Sequence, residues 1–451
     1  MFSAFANAFK IPELRQRILF TLGLIFICRL ISKVPSPGVD AHALQMVMDS
    51  IAKNAGGGVM GFLDMFSGGA LGRCAVGALG IMPYISASII IQLMTAVIPQ
   101  LERLAREGDT GRVTITQYTR YLTLVICVVQ GLVLALTLER GFGGMPGGDQ
   151  IVPPEFRGWG FRILIMLTTT TGTMLLMWLG EQITERGIGN GISVIITINI
   201  VSRLPAAIQQ GVGLFVSTGD VPAQFGIFEL VGLVSMVFLV TAGTVALTQA
   251  QRKIPIHTTK RVVGQKVYGG QNTFMPLRIN YSGVMPIIFA SAMLMFPAAI
   301  LLKIPATRTL GTMLQMGQPL YLLLYGLTIL FFSYFWVATQ FNPLQIADDL
   351  KRNGGYVPGI RPGRPTADFL DNTMTRLTLV GALFLTAIAV LPSLLSRYFD
   401  VPNLVAGFMG GTSLLIIVGV TLDTMRQIES HLVMRHYDGF LKKGRIRGSR
   451  A

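Results

Sequence analysis

The sequence predicts an all-α polytopic membrane protein, and three observations point to that class. The chain is 51% hydrophobic and only 13% charged, with a mean hydropathy of +0.58, whereas soluble domains carry about 25% charged residues. About ten apolar runs are long enough to cross a bilayer as α-helices. A further apolar stretch, 56–72, is too short to span and too rich in glycine for one continuous helix. Irregular backbone persists at membrane depth only inside protein or along a water-filled cavity, so we expect a central cavity that holds a small element.

The ten runs follow one another along the whole chain, and each is predicted to be one transmembrane helix. They lie near 18–35, 74–98, 121–138, 161–179, 191–208, 228–247, 283–302, 320–341, 377–395 and 405–422. Ten spans allow two halves of five, about 1–205 and 206–451, and the odd number of spans makes such halves inverted. The halves share no clear sequence identity, so this symmetry is predicted from topology alone.

Basic residues concentrate on one side of the predicted topology. Most of the 37 Lys and Arg residues lie before the first run, in alternate connections, and in the tail 424–451. The positive-inside rule then places both termini in the cytoplasm. Topology and attraction to lipid headgroups explain most of the net charge of +15. They do not explain why the basic residues gather in two long loops, 249–280 and 342–376.

The two long loops differ in pattern. Loop 249–280 alternates β-branched and polar residues, which is typical of a β-hairpin. Loop 342–376 contains Gly-Gly and Pro-Gly pairs, which favour a folded-back loop over a helix.

Catalytic and metal-binding patterns are missing from the sequence, so an enzyme is not expected. There is no H-E-x-x-H, G-x-S-x-G or P-loop motif. The four histidines, His42, His257, His431 and His436, lie in loops or the tail without metal-ligand spacing inside a span. The three cysteines, Cys28, Cys74 and Cys127, lie in or beside spans as small core residues. No metal and no cofactor are expected.

Two other membrane functions are open alternatives. A secondary transporter usually buries ionisable residues near the bilayer midplane. Arg29, Glu229 and Asp423 are the candidates, but each lies near the end of a run, where snorkelling is the simpler explanation. A simple ion channel needs a ring of carbonyls or charges, for which the sequence gives no sign.

Segment 180–196 contains the short polar link between the fourth and fifth runs. It is predicted to place Glu181, Glu185 and Arg186 in a tight turn that is followed by three glycines within five residues. From spacing alone it is a polar hairpin. Isoleucine pairs at helical spacing, such as Ile81 with Ile85, are ordinarily core or lipid-facing residues.

Five segments, taken together, are similar to a known family. They are MFSGGALGRCAVGALGIMPYISASIIIQLM (65–94), GEQITERGIGNGIS (180–193), YVPGIRPG (356–363), MTRLTLVGALF (374–384) and GGTSLLI (410–416). In this order and spacing they resemble bacterial SecY, the channel subunits of the Sec protein translocon. The resemblance extends from the first span to the last.

The resemblance implies an hourglass pore between two pseudo-symmetric halves, closed by a plug helix near 60–71. The plug residues would be Met60, Phe62, Leu63, Met65, Phe66 and Leu71. The pore ring would be Ile81, Ile85, Ile192, Ile196, Ile288 and Ile416. A lateral gate would lie between the second and third spans on one side and the seventh and eighth on the other.

The resemblance also implies the function and the partners. The chain would pass unfolded signal-bearing preproteins across the bacterial inner membrane and release hydrophobic segments into lipid. It would be non-catalytic, driven by the SecA motor ATPase or the ribosome, and assembled with the small subunits SecE and SecG among membrane lipids. The partner-binding residues would be Arg252, Lys253, Lys260, Arg261, Lys266, Lys351, Arg352, Arg361 and Arg364. Arg361 matches the family's critical loop arginine; a hydrogen bond that braces its own loop is the alternative interpretation.

Overall fold

The computed structural model describes residues 11–54, 58–141, 151–215, 226–258, 261–263, 266–268, 272–303, 307–314, 318–398 and 412–443. The chain folds as two compact units. One comprises Met1–Gln209 with Val420–Ala451, and the other comprises Gln210–Gly419. The inverted relation between two five-span halves stays a prediction.

The first unit is helical and packs around a core of aliphatic side chains. Its helices are α1 (Pro12–Ile31), α2 (Ala41–Asn54), α3 (Gly58–Ser67), α4 (Met82–Val97), α5 (Pro99–Arg106), α6 (Asp109–Glu139), α7 (Trp159–Arg186), α8 (Gly191–Val201) and the start of α9 (Leu204–Phe215), which belongs to this unit as far as Gln209. Short 3-10 turns occupy Leu71–Arg73 and Pro154–Phe156. The core gathers buried residues of α2, α6 and α7, among them Leu44, Leu138 and Ile165.

The second unit combines helices with the strands of the long loops. Its helices are α10 (Ile227–Gln249), α11 (Met285–Lys303), α12 (Arg308–Met313), α13 (Pro319–Gln340), α14 (Pro343–Arg352), α15 (Arg364–Tyr398) and the start of α16 (Thr412–Lys443). From Val420 onward α16 belongs to the first unit. The strands are β1 (Gln251–Thr258), β2 (Arg261–Val263), β3 (Lys266–Tyr268), β4 (Asn272–Arg278) and β5 (Gly355–Tyr356). The helical core includes Val240, Ile287, Ile329 and Leu385.

The hairpin predicted in loop 249–280 is confirmed. Strand β1 pairs antiparallel with β4, with Ile254 opposite Met275, and β2 pairs antiparallel with β3. Strand β5 from the other long loop joins the opposite edge of β1, giving the order β4-β1-β5. The alternate residues Ile254 and Ile256 are buried while their neighbours are not, as the period of a half-buried strand requires. The two long basic loops therefore share one small sheet.

Several of the predicted spans are helices of spanning length. Among the described residues, six helices are long and apolar enough to cross a membrane, or seven if Met82–Thr95 and Pro99–Ala105 are counted as one broken span. Residues 405–411 of the tenth run lie outside the described residues. The total of ten spans stays a prediction, whereas the all-α polytopic class is confirmed.

The prediction of one helix over run 74–98 is wrong. The helix α4 begins at Met82, and the residues before it form turns. Cys74 and Gly80 have positive φ values of 44° and 59°, which helical residues do not adopt. The stretch instead pairs with the chain after α1, where the Val76 N–H donates to the Val34 carbonyl (2.9 Å). Mean hydropathy does not detect such turns because it averages over a window and takes no account of backbone conformation.

The prediction that loop 342–376 avoids helix is also wrong in part. Pro343–Arg352 forms α14, and α15 begins at Arg364. The Asn342 side chain accepts from the Gln345 N–H at the helix start (3.2 Å), and Pro343 occupies the first helical turn. An Asn cap followed by proline is a strong helix-starting signal. The folded-back geometry is confined to 353–363, where the glycines and prolines lie.

Candidate functional site

The predicted plug forms a short helix followed by a tight turn. Helix α3 covers Gly58–Ser67, and Gly68 and Gly69 follow with φ values of +68° and +85°. Phe66 is 1% exposed and Met65 is buried, while Leu63 packs against the core of the first unit. The Leu71 side chain, in the 3-10 turn, is also buried. The side chains of Met60 and Phe62 lie outside the described residues.

An acidic residue inside this apolar segment joins it to α9. The Asp64 carboxylate forms an ion pair with Arg203, which directly precedes α9. Its other oxygen accepts from the Gly72 N–H (2.8 Å), and its backbone carbonyl accepts from the Gly69 N–H (2.9 Å). The side chains of Asp64 and Arg203 are 14% and 28% exposed. Asp64 therefore holds the turn that follows α3 and also links α3 to the start of α9.

A second polar connection reaches the end of the plug helix from α1 and α8. The buried Asn199 amide donates to the Phe66 carbonyl (3.0 Å), and its oxygen accepts from the Arg29 guanidinium (3.1 Å). Arg29 also donates to the Gly68 carbonyl (3.3 Å). The expectation that Arg29 snorkels to the membrane surface is therefore wrong. The last carbonyls of a helix have no partner within it; here the Asn199 amide supplies one for Phe66, and Arg29 binds the Gly68 carbonyl just beyond the helix.

The turn between α7 and α8 is held by side chains from three elements. The Ile188 N–H donates to Thr21 Oγ1 (3.1 Å), and the Gly189 N–H donates to Gln427 Oε1 on α16 (2.9 Å). The Gly191 N–H donates to Thr184 Oγ1 (2.9 Å), and Asn190 caps α8. These contacts fix where α8 begins.

The placement of Glu181, Glu185 and Arg186 in a tight turn is wrong. All three belong to the last turns of α7, and the turn itself is 187–190. The Glu181 carboxylate accepts two hydrogen bonds from Arg120 on α6, at 2.7 and 3.0 Å. Glu181 is therefore a link between helices.

The six predicted pore isoleucines divide between the two units. Ile81 and Ile85 lie one turn apart at the start of α4, with the Ile85 N–H donating to the Ile81 carbonyl (3.2 Å). Ile192 and Ile196 lie one turn apart on α8. In the second unit, Ile288 lies on α11 and Ile416 on α16. Five are buried and Ile192 is partly buried. A ring made by all six stays a prediction.

The structure brings basic residues of both long loops into the second unit. Arg252 and Lys253 lie exposed on β1, and Lys351 and Arg352 lie exposed at the end of α14. Arg364 is exposed at the start of α15. The strands β2 and β3 carry Arg261 and Lys266, whose side chains lie outside the described residues, as does Lys260 entirely. Partner binding by any of them stays a prediction.

Arg361 is exposed in the turn between β5 and α15. Its backbone carbonyl accepts from Thr366 Oγ1 (2.8 Å), so the main chain of the turn is braced. Within the described part of the chain its guanidinium makes no hydrogen bond or ion pair. The alternative interpretation, a guanidinium that braces its own loop, therefore lacks support.

Sequence reasoning missed three of the four polar residues around the turn after α3, namely Asp64, Asn199 and Arg203, and it placed the fourth, Arg29, at the membrane surface. A signal was legible, because a carboxylate in an otherwise apolar ten-residue helix and an arginine in an apolar run each need a partner. Pattern alone does not reveal that these groups meet, since Arg29 and Asn199 are 170 positions apart.

Comparison with known proteins identifies the family. The family model described as SecY matches residues 75–425. The chain is 43% identical over 451 residues to the protein translocase subunit SecY of Thermotoga maritima, covering 100% of both chains. It is 45% identical over 457 residues to that of Streptomyces scabiei, covering 98% of this chain and 100% of the relative.

Solved structures show the same fold. One described as "The structure of a protein conducting channel" aligns with a TM-score of 0.60 at 17% identity, covering 92% of each chain. Another, of "Sec61 in the Canine ribosome-channel complex from the endoplasmic reticulum", aligns with a TM-score of 0.55 at 16% identity, covering 92% of each chain. The match to the family model and the identity to the two translocase subunits show that the chain belongs to the SecY family.

Proposed function

We propose that this chain is the pore-forming subunit of a bacterial Sec translocon, which passes unfolded signal-bearing polypeptides across the inner membrane. One observation carries the proposal: a short helix, α3, ends against α8, which bears two of the six pore isoleucines. The Phe66 carbonyl of α3 binds Asn199, three residues beyond Ile196. A plug attached beside a constriction suits a channel that must seal when it is empty. As a SecY-family member, the chain is a multi-pass membrane protein.

An isoleucine ring suits a polypeptide as cargo. Aliphatic side chains make no lasting hydrogen bonds to a passing chain, and a narrow apolar ring excludes water and ions by dewetting. Ile81, Ile85, Ile192, Ile196, Ile288 and Ile416 would supply this ring. Hydrophobic segments would leave sideways into lipid through a gate between spans two and three and spans seven and eight.

The chain itself would do no chemistry. Among the described residues, no group of three or more His, Cys, Asp or Glu side chains could hold a metal ion. Movement would be driven by a nucleotide-hydrolysing motor, SecA, or by the translating ribosome. Both would dock on the exposed cations of the shared sheet and α14, with both termini on that cytoplasmic side. Ribosomal RNA would bind such cations with strong salt dependence. The small subunits SecE and SecG would complete the complex in the bilayer.

Protease protection tests the proposal directly. The purified chain, assembled with its small subunits in liposomes, receives SecA, ATP and an unfolded preprotein that carries a signal sequence. We expect ATP-dependent protection of that preprotein and none of a matched preprotein that lacks the signal. Absence of protection, with the chain folded and correctly oriented, would contradict the proposal and direct attention to solute uptake.

A further inference from the structure

The helix α3, the proposed plug, is joined to the rest of its unit by polar contacts at its C-terminal end in addition to apolar packing. Met65 and Phe66 are buried, as any plug would require. Asp64, Asn199, Arg29 and Arg203 add an ion pair and three hydrogen bonds around 66–69 and 72. Burying charged groups is costly unless each is paired. Here the Asp64–Arg203 ion pair and the hydrogen bonds supply that pairing, and their geometry also fixes the position of the turn after α3.

The contacts differ from ordinary core packing in how they break. Apolar burial has no direction, so two apolar surfaces can slide past one another and stay in contact. A hydrogen bond requires a defined distance and angle and is lost when its partners are displaced. If α3 left its seat, the Phe66 and Gly68 carbonyls would lose Asn199 and Arg29 together. Asp64 would leave Arg203 at the same time. Such contacts favour two distinct positions of the helix over a continuous range.

The glycine pair after α3 is shaped for this arrangement. Gly68 has a φ of +68°, and a Cβ there would lie 2.5 Å from Arg29 Nη1. Gly69 has a φ of +85°, and a Cβ there would lie 3.1 Å from the Arg203 guanidinium carbon. Only glycine combines these backbone angles with room for both arginines. The turn thus lets the Arg29 guanidinium reach the Gly68 carbonyl and the Arg203 guanidinium reach the Asp64 carboxylate.

We propose that Asp64 and Arg203, with Arg29 and Asn199, form a latch that holds the plug helix in its seat in the resting channel. These are positioning residues, because none lines the proposed pore ring. The inference rests on the proposed role of α3 as a plug. The polar contacts at the end of α3 would then stabilise the closed state, in addition to the seal that its apolar face provides.

Single-channel recording in planar bilayers tests the latch. Asp64→Asn and Arg203→Gln should each raise the fraction of time spent in ion-conducting openings about tenfold, equivalent to about 1.4 kcal/mol. The double variant should leak no more than the worse single variant, because residues that act as one pair are not additive. Arg73→Gln is the matched control, since Arg73 is exposed on the 3-10 turn beside the plug. It should stay as closed as the unaltered channel.

A deletion of 60–71 separates the two ideas. If the deletion leaks while Asp64→Asn and Arg203→Gln stay closed, the plug stands and the latch is wrong. If the deletion does not leak, the plug assignment itself fails. Multiplying effects in the double variant would show that the two residues act independently and would overturn the pair. Should Arg203→Gln fail to assemble, Arg203→Lys keeps the charge but loses the guanidinium fork. It is expected to leak more than the unaltered channel, and a closed Arg203→Lys channel would count against the latch.

Discussion

Replacing Gly191 by alanine adds a single methyl group, yet it should disturb α8, the helix that carries Ile192 and Ile196. Gly191 opens α8 directly before Ile192, and there α7 and α8 touch backbone to backbone. A Cβ at Gly191 would overlap the Gly180 carbonyl oxygen and lie 2.8 Å from the Ile183 Cβ. Real Cβ atoms essentially never approach other atoms closer than 3.0 Å. Because the blocking atoms belong to the backbone, the two helices must part.

The magnitude follows from that forced separation. Overpacking of a close contact typically costs about 1–3 kcal/mol. An alanine in an exposed helix position would by contrast gain up to about 1 kcal/mol over glycine. Relative to a glycine-to-alanine change at a helix position where the new methyl group meets nothing, we therefore expect Gly191→Ala to be less stable by about 1–3 kcal/mol. Ile192 and Ile196 would move with α8, so the resting channel should also leak.

The assay compares thermal unfolding in detergent with single-channel leak for Gly191→Ala and for Gly23→Ala. Gly23 lies in the middle of α1, and a Cβ there meets nothing within 4 Å. The control should be unchanged or slightly more stable, with no leak. A Gly191→Ala protein as stable and as closed as the control would refute the reasoning. It would mean that α7 and α8 can slide apart at no cost.

Three further predictions concern individual polar residues. Asn190→Ala removes the cap of α8 and should cost about 1 kcal/mol in thermal stability; an unchanged unfolding midpoint would show that the cap is redundant. Glu139→Gln removes the ion pair with Arg162 (2.8 Å), in which the Glu139 side chain is only 10% exposed. It should lower the free energy of unfolding by about 1–2 kcal/mol, whereas Glu155→Gln, at an exposed position, should leave it unchanged. Arg361→Glu should slow motor-driven export several-fold while leaving stability within about 0.5 kcal/mol. Equal export rate and motor binding in that variant would return Arg361 to a structural role.

Sequence periodicity was sufficient for the class and for the elements whose signal is local. The β1–β4 hairpin followed from alternation in loop 249–280, and the long spans followed from apolar length. Run 74–98 misled because its hydropathy is uniform while its glycines require turns, which a window average does not register. In loop 342–376 the Asn342–Pro343 helix start was legible, but the glycines and prolines ten residues later dominated the interpretation.

The candidate site was less predictable because its polar contacts join distant parts of the chain. A lone arginine in an apolar run reads as a surface group when its partner is unknown, and this was the error for Arg29. The partner, Asn199, lies in a run so rich in isoleucine that it predicts only core packing. Pairing across 170 positions is a property of the fold. The sequence carries the need for a partner but not its identity.

The contacts of α8 bear on how the proposed plug could move while the proposed constriction beside it stays in place. At its start, α8 is fixed by Thr21, Thr184 and Gln427 through three backbone N–H groups at 187–191. Near its end, the Asn199 amide of α8 donates a hydrogen bond to the Phe66 carbonyl of α3. An eleven-residue helix held at both ends by hydrogen bonds has little freedom of its own. We expect the contacts of α3 to release before those at the start of α8, because they are a few polar contacts at one end of a ten-residue helix. Ile192 and Ile196 would then stay in place when the plug leaves, and an empty channel could reseal around an unchanged half of the ring.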